Sequence, residues 1–225
     1  LMRFTKMPKI GDANHDIHFL VTIRRIFSLR YYREGVIAQF FYVGAQIMCW
    51  TFIIQYGTRV FMAEGMDEQS AEVLSQQFNI YAMIFFICSR FIATFMMKYV
   101  KPAMLLAIFG ILAMVFTAGV IGFQNRMGVY CLVCVSGCMS LMFPTIYGIA
   151  LDGLGDDAKF GAAGLIMAIL GGSVLPPLQA MIIDQVTVFG NFPATNASFV
   201  LPLICFIIVT AYGFRIHYAR EKVKV

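Results

Sequence analysis

Gln39, Tyr42, Gln46 and Trp50 recur every three to four residues inside an otherwise apolar stretch. At about 100° per residue they fall, with Ile53, in one narrow sector of a helix, while Gln55 points to the opposite side. Two amides, a phenol and an indole aligned in this way suit a hydroxyl-rich ligand: the amides exchange hydrogen bonds and the aromatic ring stacks. The same pattern also suits hydrogen bonding between neighbouring helices, so spacing alone leaves both readings open. Asn79, Met83, Phe86 and Arg90 share one face of the next apolar stretch, and Ser136, Ser140, Phe143 and Tyr147 share one face of the fourth.

Arg90 stands about two turns inside its stretch, where a charge needs a partner or a path to the surface. Asp152, at the end of the fourth stretch, matches it in depth, followed by Asp156 and Asp157. The expectation is a conformational latch between Arg90 and Asp152. No other chemistry is expected. His15, His18 and His217 all lie outside the apolar stretches, which removes the usual Ser-His and His-metal arrangements and argues against an enzyme. Cys131, Cys134 and Cys138 have helical spacing, but a closed zinc site needs four ligands, so no metal and no cofactor are expected.

Six apolar stretches must carry these residues: Gly35 to Phe61, Val73 to Met97, Pro102 to Phe123, Met127 to Leu151, Phe160 to Ile183 and Ser198 to Phe214. A helix needs about 20 residues to cross a bilayer core, and the stretches approach or exceed that length. The chain is 60% hydrophobic and 13% charged, with a mean hydropathy of +0.78. A water-soluble or disordered chain is thereby excluded. The predicted fold is an all-α polytopic membrane bundle of six transmembrane helices.

Lys and Arg divide by side. Arg3, Lys6, Lys9, Arg24, Arg25, Arg30, Arg33, Lys98, Lys101, Lys159, Arg215, Arg220, Lys222 and Lys224 share one side, against Arg59 and Arg126 on the other. The positive-inside rule then makes both termini cytoplasmic and accounts for the net charge of +5 without nucleic acid. The expected division is a basic cytoplasmic linker over residues 1–33, a transmembrane domain over 34–216 and a cytoplasmic tail over 217–225. Residues 15–32 have the pattern of a short amphipathic surface helix. The first loop on the far side is expected over residues 62–72. Asn196-Ala197-Ser198 matches an N-glycosylation acceptor on that side. On the fifth stretch Gly161, Gly164, Ala168 and Gly172 form a small-residue stripe in line with Gln179, and Gly171-Gly172 with Pro176-Pro177 are expected to bend the helix. Leu1 in place of Met, followed by the basic segment, is expected of a piece beginning in a loop of a longer chain.

These segments together resemble the C-terminal half of a major facilitator superfamily transporter, specifically the L-fucose:proton symporter family. The resemblance runs from about Tyr31 to the C-terminus. It is carried by QFFYVGAQIMCW (Gln39 to Trp50), by Phe86 to Arg90, by MSLMFPTIYGIALDGLG (Met139 to Gly155) and by KFGAAGLIMAILGG ending at Gly172. It implies uptake of a monosaccharide, L-fucose above all, driven by the proton gradient through alternating access of two six-helix halves in a plasma membrane. It further implies that Trp50 and Phe86 are cavity aromatics and that Phe143 stands where the family has a cavity tyrosine. The proton-coupling carboxylates belong to the family's first half and so lie outside this chain. The substrate-binding set expected here is Gln39, Tyr42, Gln46, Trp50, Asn79, Phe86, Phe143 and Tyr147, with the sugar, the proton, the lipid bilayer and the missing N-terminal half as partners. A glucose or galactose carrier, a drug exporter of the same superfamily and a non-transporting membrane subunit are the alternatives.

Overall fold

A computed structural model describes residues 24–185, 187–188 and 192–222. A short helix α1 (residues 24–28) stops at Leu29, whose extended backbone (φ −72°, ψ 116°) sets off α2 (Arg30–Ala63). Ile26 of α1 is buried, and Phe27 meets the Tyr32 ring edge-on at 5.4 Å, so this end of the expected surface helix packs against the bundle. Residues 15–23 of that expectation lie outside the described residues. Arg25 forms an ion pair with Asp157, joining α1 to the turn between the fourth and fifth spans.

Gly65, at φ +95°, turns the chain after α2, a backbone that side-chain-bearing residues rarely adopt. Asp67 then caps α3 (Glu68–Met96) by accepting a hydrogen bond from the Ser70 amide at 3.1 Å. The cap adds more than a turn to the helix, and the expected loop over residues 62–72 contracts to residues 64–67. Pro102 opens α4 (Pro102–Gly122), where its missing N–H costs nothing. Asn125 caps α5 (Arg126–Met139) by accepting from the Met127 amide. The fourth span breaks after Met139 and continues as α6 (Met142–Leu151).

The fifth span also has two parts. Helix α7 (Ala158–Met167) passes through a 3-10 turn, Ala168–Leu170, into α8 (Gly171–Ile183), which contains Pro176 and Pro177. The interruption expected near Gly171 therefore begins three residues earlier, at Ala168. A side chain at Gly171 would collide with the Phe40 carbonyl, so glycine there sets how closely α8 approaches α2. A two-residue antiparallel pair, β1 (Thr187–Val188) and β2 (Phe192–Pro193), precedes α9 (Ala194–Ser198) and α10 (Val200–Lys222).

Six spans result: α2, α3, α4, α5 with α6, α7 with α8, and α9 with α10. The even number of crossings puts Arg30 and the end of α10 on one side, the near side. Glu34 confirms the juxtaposition, accepting from both Arg30 Nε and Arg215 Nη1 at 3.0 Å. Helix therefore runs from Arg30 and continues to Lys222, beyond the 34–216 expected from apolarity, because the charged ends are held by one another. Helix α2 sits centrally, against α3, α5, α6, α8 and α10. Tyr42, Met48, Ile53, Tyr56, Phe61, Leu132, Met139, Ile146, Phe199 and Phe206 fill the core. Burial is unequal: 72% of the most apolar window of the fourth span is buried, but only 22% of the fifth and 11% of α3. Spans α3 and α7–α8 thus leave most of their apolar surface for lipid or another partner.

Candidate functional site

Exposure separates the eight expected substrate contacts into two groups. Gln39 and Tyr42 have no exposed surface. Burial within these six helices alone would persist whatever else packed against them, so in this structure neither residue can touch a ligand lying on the bundle surface. The Tyr42 hydroxyl donates to the Met139 carbonyl at 2.8 Å. Both amide atoms of Gln39 are buried without a hydrogen-bond partner among the described residues. Along this side of α2, Ala150 of α6 lies against Gly35, and the Met139 carbonyl at the end of α5 lies against Tyr42. Tyr42 consequently faces the end of α5.

Gln46, Trp50, Asn79, Phe86, Phe143 and Tyr147 are half-buried and retain accessible surface. They group in pairs of different shape. The Trp50 and Phe86 rings meet edge-to-face at 5.1 Å and 83° across α2 and α3. Phe143 and Tyr147, one turn apart on α6, stack at 6.3 Å and 11°. Gln46 lies at the middle of α2 and makes no side-chain hydrogen bond among the described residues. Trp50 Nε1 and Asn79 Oδ1 are buried and likewise unbonded. Each unmet buried donor or acceptor costs about 1–3 kcal/mol, which a small rearrangement toward a hydroxyl-bearing ligand would recover. Aromatic faces beside unmatched amide and indole groups, with no carboxylate among them, suit binding of a neutral polyhydroxylated molecule and offer no covalent chemistry.

Arg90 is exposed on α3 and lines an open cleft of about 500 Å³ with Ile87, Phe91, Thr94, Phe95 and Lys98. Of the acids expected as partners for Arg90, Asp157 is held by Arg25. The side chain of Asp156 lies outside the description. All six cysteines are free thiols.

Two ties at the span ends were not expected from sequence. One is the Arg30–Glu34–Arg215 cluster already described; Glu34, at the margin of an apolar stretch, was its only sequence signal. The other joins three helices on the far side. Asn196 donates from Nδ2 to the carbonyls of Val120 and Phe123 at 3.0 and 3.2 Å, and the Tyr56 hydroxyl donates to Val120 at 3.1 Å. Asn196 is 3% exposed. Its match to a glycosylation acceptor is therefore corrected: the amide nitrogen is turned inward, and the residue caps the last turn of α4.

No family model matches the chain. Curated relatives do. An L-fucose-proton symporter from Haemophilus influenzae is 54% identical over 212 residues, spanning 93% of this chain and 47% of the relative. One from Escherichia coli is 29% identical over 217 residues, 95% of this chain and 47% of the relative. A glucose/galactose transporter from Brucella abortus is 27% identical over 179 residues, 80% of this chain and 40% of the relative. Among solved structures, the major facilitator superfamily transporter FucP in its outward conformation superposes with a TM-score of 0.77 at 26% identity, over 94% of this chain and 49% of that one. The chain spans about half the length of the curated relatives it matches. In sequence and in fold it is similar to one half of an L-fucose–proton symporter, and the expected six-helix half-bundle is the fold observed.

Proposed function

We propose that this chain, similar to one half of the L-fucose–proton symporters, supplies the C-terminal half of a membrane carrier that takes up L-fucose with protons by alternating access. The observation that carries the reading is the 54% identity to the Haemophilus influenzae symporter, sustained over 93% of the chain. Local chemistry agrees with it. Trp50 with Phe86 and Phe143 with Tyr147 offer aromatic surfaces to the carbon–hydrogen faces of a sugar, and the midpoint amide of Gln46 is available to its hydroxyls.

The other six-helix half covers part of the apolar surface left on α3 and α7–α8, and lipid covers the rest. It also supplies the proton-coupling carboxylates. The near side, where Lys and Arg collect, faces the cytoplasm. L-Fucose is favoured over glucose or galactose because the glucose/galactose relative shares 27% of its residues with this chain, half the identity of the Haemophilus protein. Uptake of labelled L-fucose into cells lacking their own transporter, expressing the protein that carries this chain together with the other half, tests the reading. The expected result is uptake abolished by a protonophore and competed by unlabelled L-fucose, with D-glucose and D-galactose competing weakly. Uptake indifferent to the proton gradient, or competed best by glucose, contradicts it.

A further inference from the structure

Pro144 has no N–H to donate, and its ring collides with the carbonyl four residues back, that of Ser140. Regular bonding lapses accordingly. The Ser140 amide makes the tighter bond to Gly137 at 3.2 Å, and i to i−4 bonding resumes with Thr145 to Leu141, also at 3.2 Å. A lapse of this kind inside an apolar bundle strands peptide groups that have no water to turn to.

Tyr42 stands in the gap. Its hydroxyl donates to the Met139 carbonyl at 2.8 Å. Met139 and Phe143 are the two residues whose direct bond an unbroken helix would contain, so the phenol takes the place of a missing rung. The Tyr42 ring also meets the Phe143 ring at 6.3 Å and 63°, and Phe143 stacks on Tyr147. A fully buried side chain of α2 thus touches both the backbone at the break in the fourth span and the Phe143 ring of the half-exposed aromatic shelf on α6.

We infer that Tyr42 is a positioning residue: its hydroxyl bridges the broken ladder of the fourth span and fixes the angle at which Phe143 and Tyr147 are presented. The inference rests on the sugar-carrier reading only for its effect on substrate. Tyr56 is the natural control, because its hydroxyl satisfies the Val120 carbonyl at the end of α4 without touching the shelf.

The test places para-fluorophenylalanine at position 143 of the full protein and compares its fluorine resonance in the parent, Tyr42→Phe and Tyr56→Phe. Tyr42→Phe is expected to shift or split the resonance and to weaken L-fucose binding by about 2- to 10-fold, the equivalent of one buried hydrogen bond. Tyr56→Phe is expected to lower thermal stability and to leave both unchanged. Pro144→Ala gives a second arm: restoring the missing N–H lets the ladder close, so adding Tyr42→Phe to it should change the resonance less than in the parent. An unmoved resonance in Tyr42→Phe, an equal shift in Tyr56→Phe, or no relief from Pro144→Ala overturns the inference. A shifted resonance with unchanged fucose affinity supports the positioning role and counts instead against the sugar-face reading.

Discussion

Asn196 donates from Nδ2 to the Val120 carbonyl at 3.0 Å, holding the start of the sixth span against the last turn of α4. The final carbonyls of a helix have no partner within it. In water they would be solvated, but here one side chain serves several of them. Replacing Asn196 with Ala strands these acceptors in a buried place, at a cost of about 1–3 kcal/mol. A lower unfolding midpoint for the purified full-length protein is expected, together with no change in mass on enzymatic deglycosylation of protein made in a glycosylating host. An unchanged midpoint or a glycan on Asn196 contradicts the capping role.

Asp67 makes the start of α3 sensitive to pH. Hydrogen bonds from the Ser70 hydroxyl and amide hold its carboxyl below the usual carboxylate range. A group whose folded pKa is depressed contributes stability that is fully present above its unfolded value and is lost as pH falls through the folded value. Hydrogen exchange at the Ser70 amide should therefore accelerate in acid beyond the intrinsic trend. In Asp67→Asn, which can still cap but does not titrate, that extra acceleration should vanish. Equal acid dependence in both proteins would show that the cap is not the cause.

The proposed orientation rests on the separation of Lys and Arg. In a background with all six native cysteines replaced by Ser, single cysteines at Gln69 and at Lys159 lie on opposite sides of the bundle. An impermeant thiol reagent applied to intact cells should modify the first and spare the second. The reverse labelling pattern would turn the protein over.

Span number and order were legible because they depend only on length and apolarity, which a bilayer enforces. Details settled by single hydrogen bonds were less so. Asp67 extended α3, and the charges of Arg30, Glu34 and Arg215 extended α2 and α10, because polar residues that look like loop can cap or pair at a helix end. The polar stripe of α2 shows the limit for the site. Angular spacing gives the side of a helix on which Gln39, Tyr42, Gln46 and Trp50 lie, but not what crosses that side at each height. The packing of the fourth span, interrupted between Met139 and Met142, covers Tyr42, whereas Gln46 and Trp50 keep accessible surface. Pro144 in an apolar stretch is the sequence signal for that break.

The claim that α2 presents Gln46 to a sugar is tested most directly by calorimetric titration of the full-length protein with L-fucose. Gln46→Leu would leave a sugar hydroxyl unmatched in a dehydrated site, at about 1–3 kcal/mol. That corresponds to roughly 5- to 150-fold weaker binding. Gln55→Leu removes the same amide from the opposite, exposed side of α2 and serves as the matched control. The account predicts a large loss of affinity for Gln46→Leu and parent-like affinity for Gln55→Leu, each variant being folded and monodisperse. Equal affinities for the two variants would contradict it, and the face carrying Gln46 and Trp50 would then be a packing surface.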